Sequence, residues 1–147
     1  METTLDEILR SKGDRVCHVS PEANVLEAAQ MMKNEKVGAL LVLHGEKILG
    51  ILTERDILNR VVAEGIDPAG IKVHEVMTKD VAVLKPSLTV REAMRIVSDK
   101  RIRHFPVVQD GHLIGMISSG DLTHRAIAEE EGVIHTLYDY IYGAYPA

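Results

Sequence analysis

The sequence predicts an α/β (α+β) fold: two β-α-β-β-α units packed about a pseudo-two-fold axis, with a short N-terminal helix and a C-terminal helical extension. Three observations carry the prediction. The first is an internal duplication, in which Val16–Glu64 lies over Val81–Glu129 at a constant offset of 65 residues with no gap. Among the identical pairs are Pro21/Pro86, Glu27/Glu92, Gly50/Gly115, Asp56/Asp121 and Arg60/Arg125. Two unrelated amphipathic segments would share apolar periodicity, but they would not share Pro, Gly and Asp at matched places. The second is the pattern inside each copy, where a helix-period segment is followed by two short apolar runs joined through a glycine turn. The third is composition. Aromatic residues make up only 3% of the chain, so the core is built from small aliphatic side chains, which suit thin layers of short elements.

Each copy reads in the same order. A short extended segment, Val16–Val19 or Val81–Leu84, runs into Pro21 or Pro86. A helix then starts at Asn24 with Glu27 three residues on, and at Thr89 with Glu92, the spacing of an N-cap and an acid that reaches back to it. Its apolar face is Val25, Ala28, Ala29 and Met32, matched by Val90, Ala93, Met94 and Val97. Two strands follow. Ala39–Leu43 and Ile48–Leu52 turn through His44-Gly45-Glu46-Lys47, and His104–Val108 and Leu113–Ile117 turn through Gln109-Asp110-Gly111-His112. A second helix begins near Thr53 and near Ser118. The expected divisions are an N-terminal helical segment over 1–13 with its helix at Leu5–Arg10, repeat units over 14–68 and 77–132, and a helical tail over 133–147. A stretch from Gly65 to His74 links the units. A unit of about 60 residues buries too little surface to be stable alone, so the two are expected to pack on each other.

Composition excludes several function classes. No apolar run approaches the roughly 18 residues of a membrane-spanning helix. The N-terminus lacks the basic start and apolar stretch of a secretory signal, and the single cysteine, Cys17, fits a reducing compartment. A soluble, cytoplasmic protein is expected. The net charge of −5 argues against nucleic acid as a partner. The seven histidines are scattered without zinc-site spacing, so no metal is expected. Cys17 has no neighbours that mark a nucleophile and reads as a buried thiol of the first strand. No general acid–base pair can be assembled, so the chain is not expected to be an enzyme. Glu129–Glu131 reads as a solvated face, and the tyrosines between Tyr138 and Tyr145 as packing at a dimer or partner surface.

Four segments point to a family. Gly50-Ile51-Leu52-Thr53-Glu54-Arg55-Asp56, Val76-Met77-Thr78-Lys79-Asp80-Val81, Arg103-His104-Phe105-Pro106-Val107-Val108 and Gly115-Met116-Ile117-Ser118-Ser119-Gly120-Asp121 together resemble the paired cystathionine-β-synthase (CBS) domain, or Bateman module. The resemblance runs from about Asp14 to Glu129. It implies a tandem CBS-domain repeat, often in a disc-shaped homodimer. It also implies a regulatory role sensing an adenosyl ligand: AMP first, then ADP, ATP, NAD or S-adenosylmethionine. The effector would be another polypeptide.

Two readings of the candidate site stand side by side. Thr53-x-x-Asp56 and Ser118-x-x-Asp121 have the spacing of helix N-caps, in which the hydroxyl accepts from a first-turn amide and the aspartate complements the helix dipole. The same junction also suits a phosphorylated ligand, with the carboxylate accepting from ribose hydroxyls rather than meeting phosphate. The resemblance implies binding by Thr53, Arg55, Asp56, Arg103, His104, Ser118 and Asp121. Lys100 and Arg101 end a helix and read as structural. Arg103 and His104 stand opposite Gly38 and Ala39 of the first copy, so the halves are chemically unequal. The family pattern pairs the Asp56 ribose position with phosphate cations at Arg103 and His104, while the Asp121 position faces uncharged residues. The Asp56 site is therefore expected to be the stronger. The alternative is a ligand-free module for dimerisation and protein interaction.

Overall fold

The computed structural model describes residues 2–13, 15–100 and 102–129. The expected tail over 133–147, with its tyrosines, lies outside them, as do Glu130, Glu131 and Arg101. Helix α1 (Leu5–Lys12) comes first, then strand β1 (His18–Val19), helix α2 (Val25–Glu35) and the hairpin β2 (Ala39–His44) and β3 (Lys47–Thr53). Helix α3 (Glu54–Ile57) continues as a π-helical turn over Leu58–Val62. A 3₁₀ turn at Pro68–Gly70 and the short helix α4 (Val73–Val76) connect to α5 (Val90–Lys100). The second hairpin, β4 (His104–Gln109) and β5 (His112–Ser118), leads into α6 (Ser119–Glu129).

The duplication is visible in the backbone. Both hairpins carry a register shift at the same repeat position, between Val42 and Leu43 and between Val107 and Val108. Helix α2 is capped by Asn24, whose side chain accepts from the Glu27 amide at 2.8 Å. At α5, Thr89 and Glu92 form the reciprocal pair, the Glu92 amide donating to the Thr89 hydroxyl at 3.1 Å and the Thr89 amide to the Glu92 carboxylate at 3.1 Å. The Asp110-Gly111 turn has positive φ at both residues, 52° and 79°, as a two-residue hairpin of type I′ requires.

The copies differ in their first strand. β1 pairs parallel with β2, but the expected strand over Val81–Leu84 is reduced to a single parallel bridge, Leu84 to Val107. Pro106 is the cause. In the first copy the Leu41 amide donates to the Cys17 carbonyl at 3.1 Å, and Leu41 matches Pro106, which has no amide hydrogen to give. The copies also differ in the helices after the hairpins, which the sequence reads alike: α6 is regular, whereas the stretch after Thr53 becomes π-helical at Leu58.

The core ties the two units to each other. One buried cluster holds Val25, Ala28, Met32, Leu40, Leu52 and Val61, and it is completed by Val73 and Val76 from α4 and by Met77 just after it. The other gathers Leu84, Val90, Ala93, Phe105, Ile117 and Leu122, and it is completed by Leu5, Ile8 and Leu9 from α1. The segment leading into each repeat thus packs on the other repeat. A third cluster, Ala39, Leu41 and Ile51 with Val81, Leu113 and Met116 against them, joins the two sheets.

Candidate ligand-binding site

The strand-to-helix junctions are built alike. At the first, the Asp56 amide donates to the Thr53 hydroxyl at 3.2 Å, and the Thr53 amide donates back to Asp56 Oδ2 at 3.0 Å. At the second, the Asp121 amide donates to the Ser118 hydroxyl at 3.1 Å, and the Ser118 amide to Asp121 Oδ2 at 2.8 Å. The capping role is therefore real at both places. It does not use up the carboxylates, since each ionised group offers about four lone-pair positions.

What surrounds the two carboxylates differs. Asp56 is buried, at 7% exposure. Its Oδ1 accepts the Thr78 hydroxyl at 3.0 Å, and Arg60 stands 3.9 Å away. Arg60 itself donates to the carbonyls of Val76 and Met77 at 2.8 and 3.0 Å, tying the π-helical turn to the end of α4. Asp121 is more open and accepts from the Lys12 ammonium at 2.7 Å. A cation does reach the Asp121 position, and it comes from α1 rather than from the facing strand.

Between the repeats lies a cavity of about 530 Å³. Six of the seven expected residues line it: Thr53, Arg55, Asp56, Arg103, His104 and Ser118. The structure thus brings the cap of the first repeat to Arg103 and His104, where β4 of the second begins. Asp121 is not among the residues lining this cavity. Residues that the sequence reading left unassigned also form the wall, notably Glu54, Thr78 and Asp80. All three lie inside quoted motifs, so position within the motif was the available signal. A Cβ at Gly38 would approach the Glu54 carboxylate to 2.8 Å, so a side chain there would shift Glu54 from its present place in the wall. The wall offers apolar side chains as well, at Ile51, Val81, Ala82 and Ile102.

His104 is the tunable group. Burial pushes its pKa below the ordinary value of 6.5; Glu54 pulls it up, and Arg103 pushes it down. The ring is thus biased to its neutral form. At Asp121, burial would raise the carboxyl, but the Lys12 and Ser118 hydrogen bonds outweigh it and hold the group below the usual 3.8. Cys17 is half-buried against the first core and is not among the cavity residues. No helix of the described residues is long and apolar enough to cross a membrane, and no cluster of three metal-ligating side chains occurs among them.

Two repeated α/β units sharing a cleft define a tandem-repeat module, and comparison with known proteins gives the family. The family model of the CBS domain matches residues 13–63 and again 73–127, so the chain belongs to the CBS-domain family. It is 34% identical over 152 residues to the mitochondrial CBS domain-containing protein CBSX3 of Arabidopsis thaliana, covering 97% of this chain and 74% of that one. Among solved structures, a CBS-domain containing protein from Agrobacterium tumefaciens is 35% identical with a TM-score of 0.81, covering 85% of this chain and all of that one. The hexameric CBS-CP12 protein of bloom-forming cyanobacteria is 34% identical with a TM-score of 0.77, over 88% and 75% of the two chains. That neighbour self-associates.

Proposed function

We propose that the cavity between the repeats binds an adenine nucleotide, AMP first among the adenosyl ligands, and that occupancy is passed to a partner protein. One observation carries this reading: Thr53 and Asp56 from one repeat and Arg103 and His104 from the other face a single cavity. The donor set matches the ligand part by part. A buried carboxylate with lone pairs to spare accepts from vicinal ribose hydroxyls. The Arg103 guanidinium, and His104 once protonated, suit a phosphate. The apolar wall at Ile51, Val81 and Ile102 suits an adenine face. Wall carboxylates at Glu54 and Asp80 disfavour a long polyphosphate, which places AMP ahead of ATP. The protein acts without catalysis, as a sensor.

Self-association supports the output side. Leu58 and Val62 are 57% and 63% exposed on the π-helical turn that continues the helix carrying Asp56. A homodimer through this face would feel any movement of that helix. The same feature favours the second reading, a ligand-free module that only dimerises and docks a partner.

Thermal unfolding of ligand-stripped protein with AMP, ADP, ATP, NAD and S-adenosylmethionine in turn separates them. A ligand at about 100 times its dissociation constant adds about 2.7 kcal/mol of stability. For a chain of this size that raises the midpoint by about 5–10 °C. A selective rise with AMP is expected; a flat panel from a folded dimer selects the ligand-free module.

A further inference from the structure

Thr78 and Lys12 hold corresponding places in the two halves. In the first repeat Thr78 supplies two donors, its amide to the Ile51 carbonyl at 2.9 Å and its hydroxyl to Asp56 Oδ1 at 3.0 Å. Sixty-five residues on, the matching acceptors are the Met116 carbonyl and the Asp121 carboxylate, and the residue matching Thr78 is Gly13. Gly13 has no side chain to offer, and the residue before it takes over. The Lys12 ammonium donates to the Met116 carbonyl at 2.9 Å and to Asp121 Oδ2 at 2.7 Å. A single charged group fills both places.

The exchange alters charge and tether together. Asp56 faces a neutral hydroxyl in direct contact, whereas Asp121 sits in a direct ion pair, which weakens it as an acceptor for a neutral hydroxyl. Thr78 is fixed through a two-way backbone bridge with Ile51, both bonds at 2.9 Å. Lys12 reaches its acceptors from the tip of a flexible stem, with its side chain 36% exposed. The rest of α1 is seated over the same strand. Leu9 lies so close to Gly115 that a Cβ at that glycine would come within 2.5 Å of it.

We infer that α1 closes the second of the chain's two aspartate-centred sites, with the Lys12 ammonium as an internal occupant of Asp121 that a nucleoside's vicinal diol must displace. The inference rests on the adenosyl-ligand reading of the cavity. It makes the wild-type chain a one-nucleotide binder, at Asp56, and couples the second site to undocking of α1. Because α1 completes the second core, its release is a structural signal that a partner can read.

Calorimetric titration of the full chain with AMP tests this on wild type, Lys12→Met, Lys12→Arg and Lys12→Met/Asp121→Asn. The expected result is one nucleotide per chain for wild type and Lys12→Arg, a second binding event in Lys12→Met, and its loss in the double variant. 2′-Deoxy-AMP, which lacks one hydroxyl of the diol, is expected to weaken binding at both aspartates, so in Lys12→Met both events should lose affinity together. Two nucleotides per wild-type chain, or one in a Lys12→Met protein with native circular dichroism, overturns the inference and leaves the nucleotide reading standing. If Lys12→Met does not fold, Lys12→Gln is titrated in its place under the same criteria. No binding by any of these proteins overturns the nucleotide reading itself, and this inference with it.

Discussion

The Thr78 hydroxyl donates to Asp56 Oδ1 at 3.0 Å, so the segment leading into the second repeat holds the buried carboxylate of the first. Removing that donor while keeping the shape is a direct probe of the junction. Thr78→Val is expected to cost about 1–3 kcal/mol, because a buried acceptor loses a partner. Chemical denaturation reads this as a lower midpoint with an unchanged slope. AMP affinity should fall as well, since the orientation of Asp56 is no longer fixed.

Gly50 and Gly115 occupy matching positions but meet different neighbours. A Cβ on Gly50 would lie 2.7 Å from the Thr78 backbone carbonyl and 2.8 Å from the Met77 sulfur, whereas the atoms nearest one on Gly115, from 2.5 Å, belong to the Leu9 side chain. Backbone has to move in the first case and a rotamer in the second. Gly50→Ala is therefore expected to be the more damaging, in the range of about 1–3 kcal/mol for overpacking. Comparing the two unfolding midpoints checks the order, and equal losses would count against the backbone argument.

If the cavity takes a nucleotide as proposed, His104 is expected to make its binding pH-dependent. Its pKa is depressed below 6.5 in the free protein, chiefly by burial, and a phosphate beside it would raise that value. Binding then takes up a proton, so AMP affinity is expected to strengthen as pH falls from about 7.5 toward 6.5, before the phosphate itself protonates near pH 6. Titrations in two buffers of different ionisation enthalpy measure the uptake. His104→Gln should abolish it.

The Lys12–Asp121 pair carries an acid-side signature. Asp121 titrates below 3.8 in the folded chain, so its contribution is fully present above that value and is lost as pH falls through the folded pKa. The stability gap between wild type and Lys12→Met is expected to be constant at neutral pH and to close below about pH 3.8. Thermal midpoints across that range provide the test; a gap that persists at the acid end would show that Lys12 acts through packing.

Most of the fold was legible because the chain states it twice. Both helix caps, both hairpins and both aspartate junctions fall where the 65-residue offset puts them. What escaped the sequence depends on chain segments that meet across long separations. Pro106 shortened the second copy's first strand because one missing amide hydrogen matters only where a neighbouring strand asks for it. The crossing of α1 and α4 onto opposite repeats is a packing result, invisible in local periodicity. Lys12 reaches Asp121 across 109 residues, and the 65-residue offset sets Gly13 rather than Lys12 opposite Thr78, so the repeat alone does not pair them. The Asp56–Arg103–His104 grouping was legible only through the family pattern, since nothing in local spacing brings residue 56 to residue 103.

The most direct test of the account is calorimetric titration of AMP into wild type, Asp56→Asn and Asp121→Asn. Loss of one charge-assisted hydrogen bond costs about 1.5–3 kcal/mol, or roughly 10- to 150-fold in affinity. The account predicts that loss for Asp56→Asn and near-wild-type affinity for Asp121→Asn. The opposite pattern, with binding abolished at Asp121 and untouched at Asp56, would contradict it.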